Sequence, residues 1–257
     1  MIMGQSYGQF ALVYDQLMED MPYVDWLGFA RESWSRYGMP SSVVDLGCGT
    51  GSLSIPLARS GFHVYGIDLS SDMLSVARSK WDETPEQAVR PRAGTIRWLQ
   101  QDMRDWGIGE PVDSVLSFCD CLNYLTEEAD IEAAFRATYR ALKDGGSFLF
   151  DMHPPSQLIR YAAEQPFVLD ERDIAYIWTC DFEEQRCQIE HNLTIFAREK
   201  DARFYRFEET HHQRAYDPQW VVAALRRAGF RTVDEYADFE FKPRNAGSER
   251  LFFAAVK

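Results

Sequence analysis

The chain has 257 residues, of which 27 are Lys or Arg and 40 are Asp or Glu, so its formal charge is −13. Hydrophobic residues make up 46% of the chain and charged residues 26%, a composition that is typical of a globular protein and excludes a disordered or collagen-like chain. A chain of this length buries enough surface to fold without disulfides or a structural metal. The acidic balance argues against nucleic-acid binding, which depends on clustered Lys and Arg.

The sequence predicts a cytoplasmic protein. It has no apolar window of about 18 residues that could span a membrane, and residues 1–6 lack the basic start and apolar run of a signal peptide. The five cysteines are odd in number and include no C-x-x-C pair, so we expect no metal site. We expect free thiols, because a reducing compartment keeps cysteines reduced.

Helical and strand-like segments alternate along most of the chain. Residues 6–37 show helical periodicity, which Gly38 and Pro40 end. Further on, we predict strands at 42–46, 63–67, 95–99, 112–118 and 147–151, and helices at 51–60, 71–81 and 127–142, the last stopped by Gly145-Gly146. This alternation indicates right-handed βαβ units and a parallel sheet with helices on both faces.

The pattern changes after His153-Pro154-Pro155. Residues 174–182, 189–195 and 203–213 alternate with period two, which predicts an antiparallel β insertion of about three strands. A helix from Asp217-Pro218 to Gly229 and strands within 230–239 and 251–256 then complete the chain. The predicted main domain comprises residues 1–155 and 214–257, with N-terminal helices at 1–40. Residues 156–213 form the predicted insertion.

The most informative segment is Asp45-Leu46-Gly47-Cys48-Gly49-Thr50-Gly51. Its three glycines follow a strand and open a helix, so the backbone can turn sharply and approach a ligand with its free N–H groups. Asp68 ends the next strand, where a carboxylate can accept hydrogen bonds from a ribose diol. Ser52 stands where a nicotinamide-binding G-x-G-x-x-G turn has its third glycine, which argues against a nucleotide-dependent oxidoreductase.

These features resemble the class I S-adenosylmethionine-dependent methyltransferases, closely over residues 42–151 and by pattern over 217–257. Asp45 to Gly51 matches the first motif of that family, and Asp68 matches its ribose-binding acid. Gln101-Asp102-Met103 and Phe118-Cys119-Asp120 match the ends of its third and fourth strands. The resemblance implies an α/β fold: a Rossmann-like doubly wound sheet of seven strands, the last one antiparallel, with N-terminal helices and an antiparallel β insertion after strand 5.

The resemblance also implies S-adenosylmethionine as the cofactor and assigns its contacts. Asp45 would lie near the ammonium group, Asp68 would hold the ribose, and Asp102 would accept a hydrogen bond from the adenine amino group. The resemblance implies that residues 1–40 form a helical lid and that the insertion at 156–213 covers the substrate site. Tyrosines of the N-terminal helix close over the cofactor in related small-molecule methyltransferases; alternatively, the rings of Tyr7 and Tyr14 pack this helix onto the core. The predicted cofactor-binding residues are Tyr7, Tyr14, Asp45, Gly47, Cys48, Gly49, Gly51, Asp68, Leu69, Met73, Asp102, Met103 and Cys119.

Other side chains are candidates for the substrate pocket. The alternation of the last insertion strand places only one of His211 and His212 on the pocket face. Two of these candidates, His153 and Asn123, also have structural alternatives. His153 would then be a turn residue beside two prolines, and Asn123 would cap the following helix. We assign no catalytic residue, because methyl transfer can proceed by alignment alone. The pocket candidates are Tyr14, Asp120, Asn123, His153 and His211.

The predicted function is methyl transfer from S-adenosylmethionine to nitrogen or oxygen of a small molecule. The N/D-P-P-Y/F/W motif of enzymes that methylate exocyclic amines of nucleic acids, or glutamine, is absent after the fourth strand, where Cys119-Asp120-Cys121 stands. The alternatives are an RNA or protein methyltransferase and a non-catalytic S-adenosylmethionine-binding module. We expect a small-molecule substrate, no nucleic-acid or membrane partner, and a monomer or homodimer.

Overall fold

A computed structural model describes residues 6–83, 94–199 and 203–257, with side chains from residue 10 onward. The strands of its larger sheet are β1 (Ser42–Leu46), β2 (His63–Asp68), β3 (Thr95–Gln100), β4 (Val112–Ser117), β5 (Leu142–Met152), β10 (Thr232–Ala237) and β11 (Leu251–Val256). Their order across the sheet is β10-β11-β5-β4-β1-β2-β3. All run parallel except β11, which is antiparallel to both neighbours. The predicted fold class is confirmed.

Helices cover both faces of this sheet. The helices of the described residues are α1 (Ser6–Leu17), α2 (Tyr23–Tyr37), α3 (Ser54–Arg59), α4 (Ser71–Asp82), α5 (Glu128–Ala141), α6 (Pro155–Glu164) and α7 (Pro218–Ala228). Apolar side chains of α2 and α3 pack on one face, and those of α5 and α7 pack on the other. A short 3-10 helix, Cys121–Tyr124, follows β4. Among the described helices, none has the length and apolar character that a membrane crossing requires.

The central strands are apolar on both sides because they are covered on both sides. In β5, Phe148 and Phe150 face α5 and α7, whereas Leu149 between them faces α2. Phe150 stacks on Phe253 of β11 with 4.9 Å between ring centroids. The period-two pattern of each strand therefore contributes to two separate cores, one on each face of the sheet.

The insertion is an antiparallel sheet of four strands, one more than predicted. They are β6 (Phe167–Asp170), β7 (Ile174–Glu183), β8 (Gln188–Arg198) and β9 (Phe204–Arg214), paired in that order. The additional strand, β6, has only four residues, which is too short for an alternation to stand out in the sequence. It forms through its pairing with β7, where Phe167 lies opposite Trp178.

The end of α5 differs from the prediction that Gly145-Gly146 stops this helix. The helix already ends at Ala141, because Leu142 pairs with Val112 of β4. The glycine pair lies within β5, where the pairing with β4 changes register. Gly145 has φ +79°, and a Cβ on Gly146 would lie 2.9 Å from the Asp113 carbonyl oxygen. These glycines therefore permit an irregular strand rather than a helix end.

Helix α1 connects the β insertion to the main sheet. Its Phe10 and Val13 pack in one cluster with Met73 of α4 and with Ile195 and Phe207 of the insertion. Helix α1 therefore packs between α4 and the insertion, and its role as a lid stays a prediction. The division into domains at residues 155 and 214 stays a prediction.

We predict that Asp113 anchors the amino-terminal edge of the sheet. Its Oδ2 accepts hydrogen bonds from the main-chain N–H groups of Ser41 (3.0 Å) and Ser42 (2.9 Å), and its Oδ1 lies 2.6 Å from Lys143 Nζ. Burial acts to raise its pKa, but Lys143 and these amides outweigh burial and hold the pKa well below its usual range. We expect Asp113→Ala to lower the free energy of unfolding by about 2–3 kcal/mol in urea titrations at pH 7.

The stabilisation by Asp113 should depend on pH. Because the folded-state pKa is depressed, the contribution is present above the ordinary pKa of about 4 and is lost as the pH falls toward the folded-state value. Asp144→Ala, at an exposed position on the neighbouring strand β5, is the control and should change stability by less than about 0.5 kcal/mol. Equal losses in the two variants would contradict this assignment.

Candidate active site

The glycine turn after β1 has one open position and two tightly packed ones. Gly47, Gly49 and Gly51 have φ values of +81°, +51° and +81°. A Cβ on Gly47 would lie 2.8 Å from Cys121 Sγ, and one on Gly51 would lie 2.7 Å from the Trp98 ring. A Cβ on Gly49 would have no atom of the described residues within 4 Å, apart from its two chain neighbours. Gly47 and Gly51 therefore allow the turn to pack, whereas Gly49 borders the space that a ligand can enter.

Two carboxylates flank this turn, of which Asp45 is buried and Asp68 is partly buried. Asp45, 2% exposed, accepts a 2.5 Å hydrogen bond from Ser54 Oγ. Burial raises its pKa to about 6, and the charge of Asp68 adds to this shift. Asp68 accepts 2.8 Å hydrogen bonds from the main-chain N–H groups of Gly49 and Ser70, and burial raises its pKa too. Two neighbouring carboxylates that are partly shielded from water favour a cation, which fits the ammonium and sulfonium groups of S-adenosylmethionine.

Three further predicted cofactor-binding residues, Leu69, Asp102 and Met103, follow the carboxyl ends of β2 and β3. Asp102 forms a two-pronged ion pair with Arg104, with 2.9 Å from Nε to Oδ1 and 2.5 Å from Nη2 to Oδ2, and this pair lowers the pKa of Asp102. The Met103 methyl lies 3.7 Å from the Cβ position of Gly47. Leu69, 66% exposed, follows Asp68. An adenine contact to Asp102 stays a prediction and would have to coexist with Arg104.

The turn after β4 has an unusual backbone. Cys119 and Asp120 have φ values of +61° and +50°, a conformation that is costly for residues with a Cβ. The fully buried Asp151 carboxylate accepts hydrogen bonds from both of their N–H groups, at 2.8 and 3.2 Å. It also accepts one from Trp26 Nε1 (3.0 Å) and one from Arg250. Asp151 therefore holds the turn at the predicted methionine end of the cofactor.

The thiols of this region are packed rather than exposed to the cleft. Cys121 Sγ lies 3.4 Å from the carbonyl oxygen of Gly47. Cys48 is buried, with its Sγ 3.1 Å from the Cβ position of Gly66 on β2. Burial raises the pKa of both thiols. They therefore shape the floor of the site in their neutral form.

Helix α1 is held on the glycine turn by polar contacts. Asp15 accepts a 2.5 Å hydrogen bond from Thr50 Oγ1, and its other oxygen lies 2.6 Å from Lys80 Nζ of α4. Burial raises the pKa of Tyr14 well above its usual value, and its hydroxyl lies in the field of Tyr23 and Cys119. A contact between Tyr14 and the cofactor or the acceptor stays a prediction. Tyr7 lies in α1, but its side chain is outside the described residues.

His211 lies where the three elements around the cleft meet. It is on the inner face of β9, and its ring centroid is 5.4 Å from that of Phe10 in α1 and 5.9 Å from that of Tyr124 in the 3-10 helix. Burial lowers its pKa to about 4, so the imidazole is neutral at pH 7. His212 is exposed on the other face, which confirms the prediction that only one of the two faces inward.

His153 and Asn123 lie deeper than the other pocket candidates. Asn123 donates to the main-chain oxygens of His153 (3.3 Å) and Arg214 (2.9 Å) and accepts from the His153 N–H (3.0 Å). It thus ties β5 to β9 and does not cap a helix. His153 Nδ1 lies 3.2 Å from the carbonyl oxygen of Glu249, and burial lowers the pKa of His153 to about 4.

Sequence reasoning missed several polar residues of the site. Asp15 and Lys80 are separated by 65 residues and have no motif, and Arg250 precedes β11 with no pattern around it. Asp151 was predicted only as the last residue of the fifth strand, and no sequence pattern indicated its hydrogen-bond donors. Gln213 was predicted only as the end of an alternating strand. Inward-facing polar residues on that strand were the one available signal.

Comparison with known proteins agrees with this geometry. Residues 43–146 match the family model of a methyltransferase domain. The chain is 35% identical, over 98% of its length and all of the relative, to a protein of Geobacillus sp. (strain WCH70) with a provisional methyltransferase name. YqeM of Bacillus subtilis (strain 168), also provisionally named a methyltransferase, is 37% identical over 98% of this chain and 97% of its own.

Solved structures show the same fold. An S-adenosylmethionine-dependent methyltransferase from Clostridium acetobutylicum ATCC 824 has a TM-score of 0.83 at 27% identity, covering 97% of this chain and 98% of that one. S-adenosylmethionine-bound CalS10, an amino pentose methyltransferase from Micromonospora echinaspora, has a TM-score of 0.73 at 19% identity, covering 95% and 97% of the two chains.

Fold and site together define an S-adenosylmethionine-dependent methyltransferase (EC 2.1.1.-). The chain belongs to the class I S-adenosylmethionine-dependent methyltransferase family, and S-adenosylmethionine is its cofactor.

Two alanine substitutions in the glycine turn should differ in their main effect, which is on cofactor binding for one and on stability for the other. Gly49→Ala adds a methyl group to open space, so we expect a folding cost of only about 1–2 kcal/mol from the positive φ. The same methyl group enters the ligand space, so S-adenosylmethionine should bind about tenfold more weakly or worse. Gly51→Ala meets the Trp98 ring and should cost about 2–5 kcal/mol of stability. Calorimetric titration and thermal unfolding of both variants measure this, and a binding defect confined to Gly51→Ala would contradict it.

Cofactor binding should depend on the protonation of Asp45. Its pKa is raised to about 6, so below that pH its carboxyl is increasingly neutral and attracts the cofactor cation less. We expect S-adenosylmethionine affinity to fall below pH 6, by up to about tenfold per pH unit, with proton release on binding near pH 6. Calorimetry in buffers of different ionisation enthalpy measures both effects. Asp45→Asn should bind more weakly, without this titration.

Proposed function

We propose that this methyltransferase transfers the methyl group to an amine nitrogen of a small molecule. The observation that carries the proposal is the enclosure of the cleft by α1 and the β insertion. Phe10 and Val13 of α1 pack on Ile195 and Phe207 of the insertion and on Met73 of α4. A cleft closed in this way suits a small acceptor, whereas an RNA or protein substrate needs an open surface.

The polar groups near the cleft favour nitrogen over oxygen as the acceptor. A hydroxyl group is a weak nucleophile that needs a base, and an effective base has a pKa near the working pH. His211 and His153 have pKa values of about 4. The pKa of Asp120 lies well below its usual range, because His153 and Arg250 outweigh the effect of burial. These groups are therefore weak bases at pH 7, and a neutral amine needs none, because its lone pair is already available.

The cofactor supplies the methyl group, and the chain supplies alignment and a dry cleft. Holding the two reactants in line is worth up to about 7–11 kcal/mol of the activation barrier. The carboxylates of Asp45 and Asp68 orient the cationic cofactor, and neutral His211 can accept a hydrogen bond from an acceptor N–H. The site therefore requires no covalent intermediate with the protein.

Relatives that methylate amino sugars support an amine acceptor. CalS10 acts on an amino pentose. An N,N-dimethyltransferase for a dTDP-linked 3-amino sugar from Streptomyces venezuelae is 25% identical over 75% of this chain and 78% of its own. The shared fold and the same class of acceptor make a small amine, including an amino sugar, the first class to test.

The experiment uses S-adenosylmethionine that carries a ¹³C-methyl group. The purified protein is incubated with this cofactor and a deproteinised metabolite extract, and products are followed by ¹H–¹³C NMR, which separates N-methyl from O-methyl carbons. We expect new N-methyl signals that are absent when the cofactor or the protein is omitted. Asp68→Ala, which removes the predicted ribose ligand, should lose these signals together with cofactor binding.

Other outcomes of this experiment distinguish the alternatives. O-methyl products would overturn the choice of nitrogen. Label that appears only in RNA or protein of an undialysed lysate would overturn the small-molecule acceptor. Cofactor binding without transfer to any fraction would indicate a non-catalytic binding module.

A further inference from the structure

A continuous chain of hydrogen bonds links the β insertion to the turn after β4. Trp178 Nε1 lies 3.0 Å from His191 Nδ1, and His191 Nε2 lies 3.3 Å from Gln213 Oε1. Gln213 Nε2 lies 2.7 Å from Asp120 Oδ2. Arg250 Nη1 then bridges Asp120 Oδ1 (2.9 Å) and Asp151. The chain thus runs from β7 of the insertion, through β8 and β9, to the carboxylate that holds the turn.

The direction of each hydrogen bond in this chain is determined by chemistry. Indole nitrogen only donates, so Nδ1 of His191 must be its unprotonated nitrogen. Asp120, paired with Arg250, is ionised and only accepts, so the Gln213 amide must present its NH₂ to Asp120. The Gln213 carbonyl oxygen then faces His191 Nε2, which must carry the proton. One arrangement of protons satisfies every contact, with a neutral His191.

We propose that Gln213 is a positioning residue that fixes the β insertion relative to the turn after β4, Cys119-Asp120, where the cofactor is predicted to bind. It is 4% exposed, and its neighbour His191 is 6% exposed, so neither side chain can exchange its partner for bulk water. Gln213 connects, by its two ends, a neutral donor on the insertion to an anion on the turn. The amide side chain carries both the donor and the acceptor that these two contacts require, and it does so without a charge.

This geometry predicts an effect on cofactor binding rather than on folding alone. Asp120 directly follows Cys119, and both residues adopt positive φ. A group at position 213 that repels Asp120 should therefore shift the turn under the cofactor while leaving both cores intact. The inference needs only cofactor binding, so it does not depend on the acceptor being an amine.

Gln213→Glu tests the proposal, because glutamic acid mimics glutamine only while it is protonated. The protonated acid donates its O–H to Asp120 and accepts from His191, whereas the ionised form places two carboxylates against each other. Burial and the neighbouring anion raise the pKa of such a group above its ordinary value of about 4.3. The titratable and charged groups around this position, from all elements packed there, are Asp120, Asp151, His153, Tyr161, Cys180, His191, Glu209, His211 and Arg250.

The measurement is the dissociation constant of S-adenosylhomocysteine at pH 5.5 and at pH 8.5, by calorimetry, for the full-length protein. The result is expressed at each pH as the dissociation constant of Gln213→Glu divided by that of the wild type. Because Asp45 titrates in both proteins, this ratio cancels its effect. We expect a ratio within about twofold at pH 5.5 and about tenfold weaker binding at pH 8.5. Gln213→Met, which removes both hydrogen bonds without adding charge, should weaken binding by a similar factor at both pH values.

Gln219→Glu is the matched control, since it makes the same charge change at an exposed position six residues away. It should bind S-adenosylhomocysteine like the wild type at both pH values. A Gln213→Glu ratio that does not change with pH would overturn the proposal. Failure of the wild type to bind S-adenosylhomocysteine would instead contradict the cofactor assignment, so the two failures are distinguishable.

Histidine ring ¹⁵N NMR of the wild type gives a test that does not depend on a variant's folding. We expect His191 to be neutral at pH 7 with its proton on Nε2. A proton on Nδ1, or a doubly protonated ring at pH 7, would break the hydrogen-bond chain and overturn the proposal, even if Gln213→Glu does not fold at pH 8.5.

Discussion

The buried carboxylate of Asp151 is the point on which the geometry of the site depends. It accepts hydrogen bonds from Trp26, from the N–H groups of Cys119 and Asp120, and from Arg250. A buried charge costs several kcal/mol unless such partners satisfy it, and residues with a Cβ at positive φ cost about 1–3 kcal/mol each. The two costs offset one another here, because the strained turn supplies the donors that the carboxylate needs.

The enclosure of the cleft follows from this arrangement. The turn leads into the 3-10 helix, whose Tyr124 contacts His211 of the insertion, and His211 in turn contacts Phe10 of α1. Helix α1 is attached on its other side through Asp15 to the glycine turn and to Lys80. The carboxylates of Asp151 and Asp15 lie at the two ends of this path, which suits a cationic cofactor.

Most of the fold could be predicted because its signals are local. Apolar strands that alternate with amphipathic helices indicate a parallel sheet, and each such signal lies within about ten residues. The same reasoning failed where pairing between distant segments decided the outcome. Strand β6 exists because β7 offers it an edge, and α5 ends at Ala141 because Leu142 pairs with β4. Neither cause is visible within the segment itself.

For the site, the sequence by itself determined the elements that carry the predicted cofactor-binding residues, and that only one of His211 and His212 faces inward. The glycine turn and Asp68 lie at the ends of consecutive parallel strands, which meet at one sheet edge, and a strand's period of two sets the parity of its residues. Only the tertiary structure decided which residues complete the site. Arg250 meets Asp120 across 130 residues of chain, and Gln213 meets it across 93. Such contacts depend on how β9, β11 and the turn pack together, and the residues themselves share no local pattern.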